Sequence, residues 1–138
     1  MKTNLSTIKI AVVALGIFLS TTASAAFTAV TSGNWSNPTT WGGIAPTATV
    51  LNQDITIPVG ITVTLDADVT FSGLLNNFSV AGVLTSTTSN AVTITQGALT
   101  GSGTISINRV NFTTLGTTSF SGNLNLKRLT NSTPVLAF

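Results

Sequence analysis

From Asp54 to Leu126 the chain alternates apolar and small polar residues in short runs. Ile55-x-Ile57, Ile61-x-Val63-x-Leu65, Val69-x-Phe71, Phe78-x-Val80, Val92-x-Ile94, Ile105-x-Ile107, Val110-x-Phe112 and Leu124-x-Leu126 all follow this pattern. Successive side chains on a strand point to opposite faces, so each run buries one face and wets the other. Between the runs stand Gly60, Gly73, Asn76-Asn77, Gly82, Ser89-Asn90, Gly97, Gly101, Gly103, Gly116 and Gly122. These residues permit tight or left-handed backbone. No apolar stripe of helical period and useful length appears beyond the N-terminal segment. The pattern predicts an all-β domain.

Two all-β architectures fit alternating runs. An antiparallel β-sandwich favours evenly spaced strands joined by tight two-residue turns. Here the runs are short, and neither Asn-Gly nor Asp-Gly occurs. The phrase FSVAGVLTSTTSNAVTITQGALTGSGTISI instead repeats strand, glycine, apolar residue, polar turn and strand, with Val80, Ile94 and Ile107 at nearly equal spacing. Such recurrence suits a coil that stacks its inward residues on those of the preceding coil. A short right-handed parallel β-helix, or β-solenoid, is therefore preferred, with the sandwich as the alternative.

The N-terminus changes the picture of where this domain works. Lys2 and Lys9 precede or flank an apolar run from Ile10 to Leu19, and Ala23-Ser24-Ala25 follows. A basic start, a short apolar stretch and a small-x-small site make a signal peptide, and the run is too short for a stable bilayer anchor. Residues 1–25 are expected to be the signal peptide, 26–48 a tryptophan-containing cap or loop, and 49–138 the solenoid. Secretion or display at the cell surface follows as the expectation, without a membrane span.

Charge and inventory then narrow the chemistry. Without Lys2 and Lys9, Arg109, Lys127 and Arg128 balance Asp54, Asp66 and Asp68. No basic stripe remains to neutralise phosphates, so nucleic acid is not an expected partner. Lys127-Arg128 reads as a solvated turn. The chain has no Cys, His, Glu or Tyr. Disulfides, His/Cys zinc sites and Ser-His or Cys-His nucleophile pairs are thereby excluded. Acid–base work would fall to three aspartates or Lys127, which argues against an enzyme.

The stretch from Trp35 to Asp66 carries a resemblance. It reads W-S-N-P-T-T-W-G-G, then Pro46, then D-I-T-I-P-x-G-x-T-V-T-L-D. This order is similar to the opening of the G8 domain, an extracellular glycine-containing β-module of secreted bacterial proteins and some animal ectodomains. The matching positions are Trp35, Ser36, Pro38, Thr40, Trp41, Gly42, Pro46, Ile55, Ile57, Pro58, Gly60, Val63, Leu65 and Asp66. Asn52-Gln53-Asp54 departs from the Gly-Asp that relatives carry before the first strand. The resemblance implies a β-helical surface module with carbohydrate contact, and it supplies no catalytic residues.

Four groups of residues are candidates for function. Trp35 and Trp41 would stack on sugar rings if open, or close the first coil if buried. Asp66 and Asp68, two positions apart, would share a strand face and with main-chain carbonyls could hold Ca²⁺; no third acid follows them, so polar turn roles are the simpler reading. Thr47-x-Thr49, Thr62-x-Thr64 and Thr93-x-Thr95 place hydroxyls outward, and stacked in register they would form a flat ice-binding array; their uneven spacing speaks against it. Val135, Leu136 and Phe138 would leave an apolar edge for self-association. Gly101-Ser102-Gly103 leads into a strand and is no phosphate loop.

These features together point to an exported, non-enzymatic surface module, structural or adhesive, that contacts glycans or other surface molecules. The alternatives are a piece of a polysaccharide-acting enzyme and a self-stacking filament subunit.

Overall fold

Every strand pairing in the computed structural model, which describes residues 25–74 and 76–131, is parallel. Parallel pairing throughout rules out the antiparallel sandwich and gives a β-solenoid of about four turns. Apart from Ala25, the expected signal peptide lies outside the described residues, as do Val135, Leu136 and Phe138.

Each full coil has three faces. The first is built by β2 (Gly33–Asn34), β5 (Thr62–Leu65), β8 (Val83–Ser86), β10 (Thr104–Ser106) and β12 (Asn123–Leu124), which form a five-stranded sheet. The second holds β3 (Thr49–Val50), β6 (Val69–Phe71), the first halves of β9 (Ala91–Thr100) and β11 (Arg109–Thr118), and β13 (Arg128–Asn131). The third holds β1 (Ala26–Thr28), β4 (Asp54–Ile57), β7 (Asn77–Val80) and the second halves of β9 and β11. Because β9 and β11 run through the bend, these two faces make one eight-stranded sheet. Gly97 takes a φ of 92° at the bend of β9, and β11 shifts register between Phe112 and Leu115.

The alternating runs supply the core as ladders. Val63, Leu84, Ile105 and Leu124 stack on the first face. Val50, Phe71, Ile94 and Phe112 stack on the second, beside Val69, Val92 and Val110. Phe27, Ile55, Phe78 and Leu99 stack on the third. Ladder members from Ile55 to Phe112 are buried. At about 1.5–3 kcal/mol per fully buried large apolar side chain, these ladders are the main favourable term.

Two details differ from the sequence expectation. The recurrence of Val80, Ile94 and Ile107 steps from face to face; the coil itself runs from Leu84 to its partner Ile105. The segment 26–48, expected as a cap or loop, also contributes β1 and β2, which pair with β4 and β5. The first coil therefore begins at Ala26.

The corner leading into the first face is glycine because the coils touch there. A Cβ on Gly103 would lie 2.1 Å from the carbonyl oxygen of Gly82, and one on Gly122 would lie 2.1 Å from that of Gly103. The main chain closes the same gap with hydrogen bonds, Thr104 N–H to Gly82 O and Asn123 N–H to Gly103 O, both 2.9 Å.

Candidate functional site

Trp35 follows β2, and its N–H donates to the carbonyl of Thr64 at 2.8 Å, which fixes the residue against the first face. Its side chain turns inward and is 1% exposed. Trp41 ends a short 3₁₀ helix, Pro38–Trp41, capped by the side chain of Asn37 and closed by left-handed Gly42. It is 7% exposed and meets Trp35 edge to face at 5.1 Å. Trp35 also meets Phe71 at 6.4 Å and Phe78 at 6.0 Å, while those two phenyl rings stack at 4.7 Å. Phe27 closes on Trp41 at 6.4 Å. A sugar platform needs an open aromatic face. Both indoles instead fill and cover the N-terminal end of the core, the packing expected of a solenoid cap.

The carboxylates are occupied by the chain itself. Asp66 accepts from the N–H and the hydroxyl of Ser36, at 3.2 Å and 2.5 Å. Asp68 accepts from the N–H of Ala91 at 2.8 Å, and Asp54 from that of Asn77 at 3.0 Å. Asp66 thus ties the coil to the Trp35 loop, whereas Asp68 and Asp54 each tie it to the next coil. The shared strand face expected for Asp66 and Asp68 does not form, since β5 ends at Leu65. Among the described residues no group of three or more His, Cys, Asp or Glu side chains converges as a metal site.

Asparagines do similar work that the sequence did not announce. Asn76 is 3% exposed; its Oδ1 accepts from Gln53 N–H at 2.7 Å and its Nδ2 donates to Val50 O at 3.1 Å. Asn90 and Asn108 donate from Nδ2 to the carbonyls of Leu65 and Ser89, at 2.9 Å and 3.1 Å. Buried or half-buried amides that bond the main chain of a neighbouring coil satisfy groups that would otherwise carry a desolvation cost. Position relative to the coil is the only signal for this, and it requires the register.

An open groove of about 420 Å³ lies at the corner between the first and second faces, lined by Ser86, Thr88, Ser89, Asn108, Asn125 and Lys127. Its wall is mostly hydroxyl and amide, with one cation and the apolar Ile107, and Ser106 of the first face stands at its edge. No acid–base pair faces it. The threonine pairs are divided: Thr62 and Thr64 belong to the first face, while Thr49 and Thr93 belong to the second.

With this geometry in place, comparison with known proteins returned no matching family model, no matching curated protein and no matching solved structure.

Proposed function

We propose that this chain is an exported, non-enzymatic surface module whose rigid coil has a structural or adhesive role and contacts glycans. The single observation carrying the non-enzymatic part is the use of the acids. All three aspartates beyond the N-terminal segment accept hydrogen bonds from the fold, and none lines the groove at the corner of the first and second faces. A general acid or base must reach a substrate proton, and the groove offers no carboxylate to do so. The groove lined by Ser86, Ser89, Asn108 and Asn125 supports the glycan part, because clustered hydroxyls and amides match the donors and acceptors of a sugar. The signal-peptide pattern of residues 1–25 supports export, and the G8-like order from Trp35 to Asp66 supports a surface module.

The test uses a polysaccharide panel. Binding without new reducing ends, weakened by Asn108→Ala at the groove, is the expected result. Release of reducing ends that disappears with Asp68→Asn would favour the enzyme reading. The filament reading draws less support, because head-to-tail stacking needs two open ends and Trp41 covers the first coil.

A further inference from the structure

The outward side of the first face is set apart by two ranks of hydroxyl and methyl side chains on strands without a charged residue, whereas the third face carries Asp54 and the second Arg109 and Arg128. On the second face Thr95 donates to Phe71 O at 2.6 Å, Thr113 to Thr95 O at 3.2 Å, and Asn111 Nδ2 to Thr93 Oγ1 at 3.1 Å. On the third, Thr100 donates to Asn77 Oδ1 at 2.9 Å and Thr117 to Gly97 O at 3.2 Å. Those hydroxyls are used internally, whereas Thr28, Thr56 and Ser79 on the third face and Thr70 on the second show no such bond among the described residues. The side chains of Thr62, Thr64, Thr85, Thr104 and Ser106 have no such partner among the described residues.

These free hydroxyls are also in register. Thr64, Thr85 and Ser106 form one rank, and Thr62, Val83 and Thr104 form the second. Asn123 extends the second rank on the last strand of the sheet. Strands in a sheet are spaced about 4.8 Å apart, and alternate residues along a strand about 6.7 Å. The result is a two-dimensional grid of hydroxyls and methyls on a rigid sheet. The strands of this face carry no Asp, Lys or Arg.

A grid of this kind selects its partner by periodicity. A hydroxyl bound to a flexible soluble ligand merely exchanges one water for another group, with little net gain. A rigid lattice engages all positions together, with the ordering cost already met on both sides. The two spacings lie close to the oxygen repeats along the a and c axes of hexagonal ice, and the face is neutral, as an ice surface is. Hydroxyls can anchor ordered water, and the Thr and Val methyls between them fill the gaps of a water lattice. Of the three Thr-x-Thr pairs only Thr62-x-Thr64 lies on this face; Val83, Thr85, Thr104 and Ser106 complete the grid at an even spacing along the sequence.

We propose that the outward first face, centred on Thr62, Thr64, Thr85, Thr104 and Ser106, is an ice-binding surface. The full chain, exported by its own N-terminal segment, is assayed for thermal hysteresis and for inhibition of ice recrystallisation. Thr64→Tyr and Thr85→Tyr break the flatness of the face, while Thr56→Tyr does the same on the third face. Far-UV circular dichroism and melting establish that all three variants fold, since substitutions on the outward side of a strand leave the core ladders in place. The expected result is activity in the parent and in Thr56→Tyr, lost in folded Thr64→Tyr and Thr85→Tyr. Absence of activity in the parent overturns the proposal, as does activity that survives both first-face variants. Retention on insoluble cellulose or chitin that both variants abolish, with no effect on ice, also overturns it and assigns the face to a crystalline polysaccharide.

Discussion

The indole N–H of Trp41 donates to the main-chain carbonyl of Trp35 at 2.7 Å, in a buried contact. One tryptophan therefore holds the backbone of the other, and the pair closes the first coil over Phe71 and Phe78. The cap is a hydrogen-bonded unit as well as an apolar plug.

Truncating this unit should be among the most damaging changes available. Trp35→Ala leaves a cavity against two phenyl rings and should cost about 3–5 kcal/mol. Trp35→Phe should cost less, because the indole N–H of Trp35 is buried without a partner among the described residues and the variant discards it. Chemical denaturation of the two variants checks the order; equal losses would mean that the ring is not packed as described.

The glycine corner should be equally intolerant for a different reason. A methyl at position 103 meets a main-chain oxygen that the neighbouring coil cannot withdraw without breaking its hydrogen bonds. Gly103→Ala should lower stability by more than about 2 kcal/mol, since overpacking against backbone leaves no rotamer to escape into. Gly43 has open space around it, so Gly43→Ala should carry only the strain of its φ of 145°. Thermal melting of both variants measures the difference.

Asn76 offers a test of buried polarity. Asn76→Leu strands the N–H of Gln53, which as one unsatisfied buried donor costs about 1–3 kcal/mol, while Val50 O keeps the N–H of Ser72. Asn76→Asp keeps the acceptor for Gln53 but buries a carboxylate oxygen against Val50 O, and it should be destabilising through that repulsion and the buried charge. A melting temperature unchanged in Asn76→Leu would contradict this assignment.

Asp68 is exposed, and its role as a clasp on Ala91 predicts a graded response. Asp68→Ala should cost about 1 kcal/mol, the usual worth of one hydrogen bond. Asp68→Asn keeps an acceptor oxygen and should lose less. Urea titration of the two variants gives the ranking, and added Ca²⁺ should not alter it if the carboxylate serves the backbone.

Much of the fold could be read from residue order. Ile55, Ile57, Val63, Leu65, Phe78, Val80, Ile94 and Ile105 alternate with polar neighbours and are all buried, because a two-residue period maps directly onto the two sides of a strand. The tryptophan cap was legible from bulk and position. What escaped was everything that depends on which strands lie side by side. Ile94 and Phe112 are ladder partners, but only the register of β9 against β11 makes them so. The same holds for Asp68 and Ala91, whose bond joins one coil to the next and has no local signature. The hydroxyl grid was hidden because its aligned ranks mix threonine with Val83 and Ser106, so a search for Thr-x-Thr finds only one of its three strands.

That alignment is the claim on which the rest depends, and engineered cysteines test it most directly, since the natural chain has none. Thr64 pairs with Thr85, and Thr85 with Ser106, on adjacent parallel strands. Partners in such strands lie about 4.8 Å apart, inside the Cα range of about 4.4–6.8 Å that a disulfide spans. Thr64→Cys with Thr85→Cys should oxidise to an intramolecular disulfide in the folded protein, whereas Thr64→Cys with Ser106→Cys, one strand further away, should stay reduced. Ready oxidation of the second pair, or failure of the first in a folded protein, would contradict the coil.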